Sequence, residues 1–296
     1  MIDRACISLN SKCNLRCVYC HFADKKNNEN SAKNEFTTDE VKLICKNLEE
    51  YIIKQGLSSF KLGIVGAGEP LLSFAQLKVI VEYFWNNALK HIIKMYVITN
   101  GTLLNREFVS FFYEYKDIIE LNVSLDGDKQ INSELRGSYP KFDEYVKLFG
   151  HLPKINAVVT KEIIENQERV LNFFISEEFR MINFSRVFGT SNPLVIVTSQ
   201  EYESFLQKAQ ALGIITRQNT KKTNYDCAKY GRLCGVGRTN VFITKTGVYP
   251  CGRFMDIESY KIADWNESLL GVEERISKYH PCPDGECYYE YHKVGI

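Results

Sequence analysis

Apolar positions along this chain follow two alternating rhythms. Short apolar runs at 5–9, 60–65, 94–99, 119–125, 154–160 and 181–187 have the length and composition of strands. Between them the spacing changes to three and four residues. Val41, Ile44, Cys45, Leu48 and Ile52 form such a stripe, entered through Thr37 and Glu40 at capping-box spacing. Further helices are predicted near 74–89, 107–115, 141–149 and 164–176. Strands alternating with helices predict an α/β fold with a parallel sheet and helical crossovers. Six such units are too few to close an eight-unit barrel, so residues 1–195 are expected to form an open, partial barrel. Cys6 and Cys45 fall on apolar faces and are expected in the core.

The pattern changes after about residue 194. A helix at 199–212 leads into a tail that holds five cysteines, Cys227, Cys234, Cys251, Cys282 and Cys287. Within it, 239–244 and 245–250 read as strand, tight turn and strand, with Cys234 before the hairpin and Cys251 after it. Residues 196–296 are therefore expected to form a second, small α+β domain rich in cysteine. The Asn-rich stretch 25–35 has nothing to bury and is expected to be a flexible connection.

Ligands of such sheets sit at the C-terminal ends of the strands. The unusual residues collect there. Cys13, Cys17 and Cys20 follow the first strand, and Gly66-Ala67-Gly68-Glu69-Pro70 follows the second. Thr99-Asn100-Gly101 ends the third, and Ser124-Leu125-Asp126-Gly127 ends the fourth. Three thiolates can hold three irons of a cubane cluster and leave the fourth iron open to a ligand. The alternatives are zinc, for which His21 is the local candidate as fourth ligand, or ordinary buried thiols. Gly66 and Gly68 are needed if backbone groups approach a ligand closely, or else they make a tight strand-to-helix turn. Asn100 and Ser124 are either turn caps or ligand contacts. Arg136, on the loop beyond, is either a carboxylate partner or a solvated charge.

The spacing Cys13-x3-Cys17-x2-Cys20, with Tyr19 before the third cysteine and a strand ahead, resembles the signature of the radical S-adenosylmethionine (radical SAM) enzymes. The resemblance implies a [4Fe-4S] cluster on Cys13, Cys17 and Cys20, with SAM chelating the open iron. It further implies reductive cleavage to a 5′-deoxyadenosyl radical that abstracts a substrate hydrogen. Gly66, Gly68 and Glu69 match the motif that grips the SAM amino group. Asn100 and Ser124 match positions reaching its ribose or carboxylate, Arg136 its carboxylate, and Val158 is either placed to pack on adenine or plain strand core. Tyr19 belongs to the same cofactor-binding set.

The tail resembles the SPASM/twitch auxiliary-cluster extension of that family, through Cys234-Gly235 and Gly247-Val248-Tyr249-Pro250-Cys251. It departs from the usual pattern by having three residues, rather than four, between Gly247 and Cys251. The seven cysteines of a two-cluster form are absent. The resemblance implies one auxiliary [4Fe-4S] cluster on Cys234, Cys251, Cys282 and Cys287, with structural zinc as the alternative. Cys227 is then a substitute ligand, an inert thiol or a hydrogen donor to a substrate radical. His280 is expected to be structural.

Composition narrows the partners. The net charge is +1, with 45% hydrophobic and 25% charged residues, so nothing favours nucleic acid or an anionic membrane. No leader and no long apolar run is read, and ten cysteines in such a chain point to metal or catalysis in the cytoplasm rather than disulfides. The expected function is radical SAM modification of a ribosomally made peptide by oxidation, crosslinking or epimerisation. A reductant such as flavodoxin or ferredoxin is implied. Cys13 lies close to the first residue, so a separate leader-peptide recognition protein is expected, or direct binding in the cleft. The alternatives are a dehydrogenase or epimerase of a small sugar or aminocyclitol, and an iron–sulfur electron carrier or scaffold.

Overall fold

Each predicted strand forms, within one or two residues of its expected bounds. They are β1 (Arg4–Ile7), β2 (Phe60–Ile64), β3 (Ile93–Thr99), β4 (Ile119–Ser124), β5 (Lys154–Val159) and β6 (Ile182–Arg186). The computed structural model describes residues 1–22, 34–179, 181–187, 192–214, 236 and 239–276. The helices among these are α1 (Thr38–Lys54), α2 (Phe74–Trp85), α3 (Arg106–Glu114), α4 (Lys129–Arg136), α5 (Asp143–Phe149), α6 (Lys161–Glu165), α7 (Gln167–Ser176), α8 (Ser199–Ala211) and α9 (Leu269–Ile276). Residues 25–33 of the Asn-rich stretch lie outside the described residues.

Two tail strands, β7 (Asn240–Thr244) and β8 (Gly247–Tyr249), complete one sheet in the order β6-β5-β4-β3-β2-β1-β7-β8. Strands β1 to β6 are all parallel, and only the β7–β8 hairpin is antiparallel. The hairpin joins the sheet directly, because β7 runs parallel to β1 with Ala5 opposite Val241 and Ile7 opposite Ile243. The division expected at 195/196 therefore does not interrupt the sheet.

Alternation within the parallel strands shows that one face of the sheet is less covered than the other. In β4, Ile119, Leu121 and Val123 are buried, whereas Glu120, Asn122 and Ser124 face a more open side. Lys94, Tyr96 and Ile98 do the same in β3, as do Lys154, Asn156 and Val158 in β5. A fully covered parallel strand would be apolar on both faces. Here one face packs under helices and the other lines a polar lumen. Near the N-terminal ends of the strands that lumen holds a cavity of about 430 Å³, lined by Lys61, Tyr96, Glu120, Asn122 and Asn183 among others.

Three elements depart from their expected form. The segment after Asp126-Gly127 is not a loop but α4, so Arg136 sits in a last helical turn. Asp128 caps that helix by accepting from the Gln130 and Ile131 N–H groups, and Gly137 ends it at φ 81°. Its short stripe, Ile131 and Leu135, is too brief to read as periodicity. The helix expected at 164–176 breaks at Asn166 into α6 and α7. The one expected at 74–89 ends at Trp85, with separate 3₁₀ turns at Pro70–Ser73 and Ala88–His91.

The main core lies between the helices and the sheet, and Cys45 is buried in it. A smaller core joins Cys6 on β1 to Phe242, Tyr249, Phe254 and Met255 of the tail. No described helix is long and apolar enough to cross a membrane.

Candidate active site at the strand C-termini

The segment from Asn10 to Cys20 contains neither helix nor strand, so its shape must come from bonds to other segments. Ties come from three neighbouring strand exits. After β2, Asn10 Nδ2 donates to the Glu69 carbonyl at 3.2 Å and to Ser73 Oγ at 2.6 Å. The Glu69 N–H donates to the Lys12 carbonyl at 2.7 Å. After β3, Asn100 Nδ2 donates to Asn14 Oδ1 and Asn14 Nδ2 donates to Thr102 Oγ1, both at 2.8 Å. After β4, the Tyr19 hydroxyl donates to Asp126 Oδ2 at 2.5 Å, and the Val18 N–H donates to the Leu135 carbonyl at 2.9 Å. The Cys20 N–H closes a turn onto the Cys17 carbonyl at 3.0 Å.

The glycines of the second exit are demanded by the first. A Cβ on Gly66 would lie 2.1 Å from Ser8 Oγ, and one on Gly68 would lie 1.8 Å from Asn10 Oδ1. Close approach to a ligand, or a tight turn, was the expected reason for these glycines, and the atoms within reach belong to the chain leaving β1. Glu69, only 2% exposed, binds the neighbouring exit. Its Oε1 accepts from Thr99 Oγ1 at 2.6 Å and the Leu71 N–H at 3.1 Å, and its Oε2 accepts from the Asn100 N–H at 2.8 Å.

Asp126 and Arg136 form a buried ion pair. Arg136 Nε donates to Oδ2 at 2.7 Å and Nη2 to Oδ1 at 3.1 Å. Burial pulls the guanidinium down in pKa, but the Asp126 charge outweighs it and holds the group above its ordinary value. Arg136 therefore stays charged. Burial, reinforced by the Asp126 carboxylate, pushes the Tyr19 hydroxyl well above its ordinary value, so Tyr19 donates as a neutral phenol. Burial also raises the thiols of Cys6 and Cys45, as suits core positions.

These exits enclose a cavity of about 360 Å³. Cys13, Cys17 and Cys20 line it as half-exposed cysteines outside any disulfide. Tyr19, Gly66, Gly68 and Glu69 are also on its wall, and Asn100, Ser124, Arg136 and Val158 complete the expected set. His21 is at the same wall. Cys251 is elsewhere: it packs on the smaller core, where Phe22 and Val65 connect that core to the cavity. Cys227, Cys234, Cys282, Cys287 and His280 lie outside the described residues.

Two charged residues of the cavity wall, Arg186 and Arg253, were not among the residues expected there. Arg186 ends β6, where the strand-end rule would have found it. Arg253 follows β8 and reaches the cavity only because the tail returns to β1, which no local signal announces.

Among the described residues, no three His, Cys, Asp or Glu side chains converge on one metal ion. As a donor set, three cysteines at one cavity wall suit an iron–sulfur cluster with room for a small molecule beside it.

Comparison with known proteins agrees with that reading. Residues 7–164 match the family model described as the Radical SAM superfamily. A cysteine-type anaerobic sulfatase-maturating enzyme of Clostridium novyi is 28% identical over 221 residues, covering 67% of this chain and 56% of that protein. The chain thus spans little more than half the length of that relative. The solved structure of native anSMEcpe with bound AdoMet and Cp18Cys peptide superposes with a TM-score of 0.70 at 17% identity, covering 93% of this chain and 81% of that one. Streptococcus suis SuiB bound to its precursor peptide SuiA gives a TM-score of 0.66 at 18% identity, covering 94% and 66%.

Proposed function

The chain belongs to the radical SAM superfamily, and from that premise we propose that it abstracts a hydrogen atom from a peptide substrate. The carrying observation is the meeting of three cysteines and four strand exits around one cavity. In this reading Cys13, Cys17 and Cys20 hold a [4Fe-4S] cluster and leave one iron for SAM. Together these cofactors supply reductive cleavage of SAM and a 5′-deoxyadenosyl radical.

The chain's own residues bind and orient. Gly66 and Gly68 bring backbone against the thiol loop, so backbone polar groups of that exit stand at the cavity beside the cluster ligands. Glu69 fastens the third exit through Thr99 and Asn100 and would stand beside the SAM amino group. Asn100 and Ser124 stand at the next two exits, within the cavity wall, as ribose and carboxylate contacts. Val158 offers an apolar surface for adenine. Arg136, permanently charged, offers its guanidinium edge to the SAM carboxylate.

A peptide is favoured because the anSMEcpe and SuiB structures both hold one. In the tail, Cys234, Cys251, Cys282 and Cys287 are assigned to one auxiliary [4Fe-4S] cluster that accepts an electron or positions substrate. Cys227 remains a candidate hydrogen donor. The described cysteines form no disulfide with one another, which suits a reducing, cytoplasmic setting with flavodoxin or ferredoxin as reductant.

The test is anaerobic incubation of the reconstituted protein with SAM, a reductant and the Cp18Cys peptide. The reading predicts 5′-deoxyadenosine that vanishes in Cys17→Ala, and a peptide lighter by about two daltons if the outcome is oxidation. SAM cleavage coupled instead to an aminocyclitol or sugar would favour the small-molecule alternative. No SAM cleavage would favour an electron carrier or scaffold.

A further inference from the structure

One buried carboxylate touches three walls of the cavity at once. Asp126 is 1% exposed and does not itself line the space. Its Oδ2 accepts from the Tyr19 hydroxyl at 2.5 Å and Arg136 Nε at 2.7 Å. Its Oδ1 accepts from Arg136 Nη2 at 3.1 Å and the Val158 N–H at 2.8 Å. Four donors fill the acceptor sites of an ionised carboxylate. The Asp126 N–H donates to Asn132 Oδ1 at 2.9 Å, and Asn132 Nδ2 donates to the Ser138 carbonyl at 2.6 Å, so the body of α4 is fixed as well.

Each of the three partners lines the cavity from a different element. Tyr19 belongs to the thiol loop, Arg136 to α4 and Val158 to β5. The Arg136 guanidinium also lies over the Tyr19 ring, 5.5 Å from its centroid. With Nε and Nη2 engaged by Asp126, Nη1 has no hydrogen-bond partner among the described residues. The bidentate pair thus fixes which edge of the guanidinium is left for a ligand.

We propose that Asp126 is a positioning residue. It locks Tyr19, Arg136 and Val158 into one unit, so that the Nη1 edge of Arg136 meets the SAM carboxylate while the thiol loop keeps its register. This rests on the radical SAM reading of the cavity. Asp126 acts through Arg136 and Tyr19 rather than by contact with the cofactor. A solvated or merely structural aspartate would affect unfolding and leave cofactor affinity untouched.

The experiment measures SAM affinity by equilibrium dialysis on anaerobically reconstituted protein, with iron content and EPR spectra alongside. Asp126→Asn keeps the size of the side chain and removes its charge. It should retain iron but bind SAM about tenfold more weakly, as loss of a charged hydrogen-bond partner implies. Adding Asp126→Asn to Arg136→Gln should weaken SAM by clearly less than the product of the two single losses, since much of the effect of the first acts through the second. Tyr19→Phe removes one donor of four and leaves Arg136 paired. It should fold, weaken SAM by about threefold and alter the SAM-dependent EPR signal, and it carries the test if Asp126→Asn does not fold. Parent-like SAM affinity in both single variants, or additive losses in the double variant, would overturn the proposal. A parent that binds no SAM would instead overturn the functional reading, and this proposal with it.

Discussion

At Gly68 a single methyl group is enough to disturb the site. Its Cβ would meet Asn10 Oδ1 at 1.8 Å and the Lys12 carbonyl at 2.6 Å. Neither can retreat, because Asn10 and Lys12 are themselves bonded to Glu69. Gly68→Ala should therefore cost about 1–3 kcal/mol in denaturant unfolding and displace the thiol loop, lowering iron uptake on reconstitution. Gly150→Ala is the control. That position has φ 72° but nothing within 4 Å, so it should cost about 1–2 kcal/mol from backbone strain and leave iron uptake unchanged. The need for glycine at 66 and 68 was legible in the sequence as close approach, but its partner was not. The same holds for Asp126. As a letter it is an acid at a strand end, and only tertiary pairing with Tyr19, 107 residues away, reveals what it holds.

Among the elements, α1 and the β7–β8 hairpin show how the tail is fastened to the sheet. Thr37 and Glu40 make the expected capping box at the start of α1. Thr37→Ala should cost about 1 kcal/mol in thermal or denaturant unfolding. Glu40 has a second partner that sequence could not supply, Lys245 of the hairpin turn, which also lies over the Phe36 and Trp265 rings. Burial pushes the Glu40 carboxyl up, but bonds from Lys245 and Thr37 outweigh this and hold it below its ordinary value of 4.5. A carboxyl lowered on folding stabilises the fold above that ordinary value and ceases to do so as pH falls through its folded value. Glu40→Gln should thus flatten the decline in stability below pH 4.5, read from unfolding midpoints in an acid series. Hydrogen exchange should rise in β7 and β8 over the same range in the parent. The stripe of α1 was legible because it is long and amphipathic. Helix α4 was not, since its eight residues carry a short apolar stripe and its start depends on the Asp128 cap.

For the whole molecule, the order of strands decides where chemistry can occur. A parallel sheet sends every strand exit to one edge, and an alternating inner face keeps that edge reachable from the lumen. This much followed from periodicity, because strand and helix rhythms are local. The return of the tail to β1, which brings Arg253 to the cavity, is a long-range pairing without a local signal. The central claim is that Cys13, Cys17 and Cys20 hold the cluster that SAM binds. Its most direct test is iron analysis and EPR of the anaerobically reconstituted full chain, beside a variant with all three thiols changed to alanine. The account predicts about four fewer irons in the variant and a SAM-induced spectral change in the parent alone. A parent spectrum indifferent to SAM, or a variant that keeps the full iron content and the same response, would contradict it.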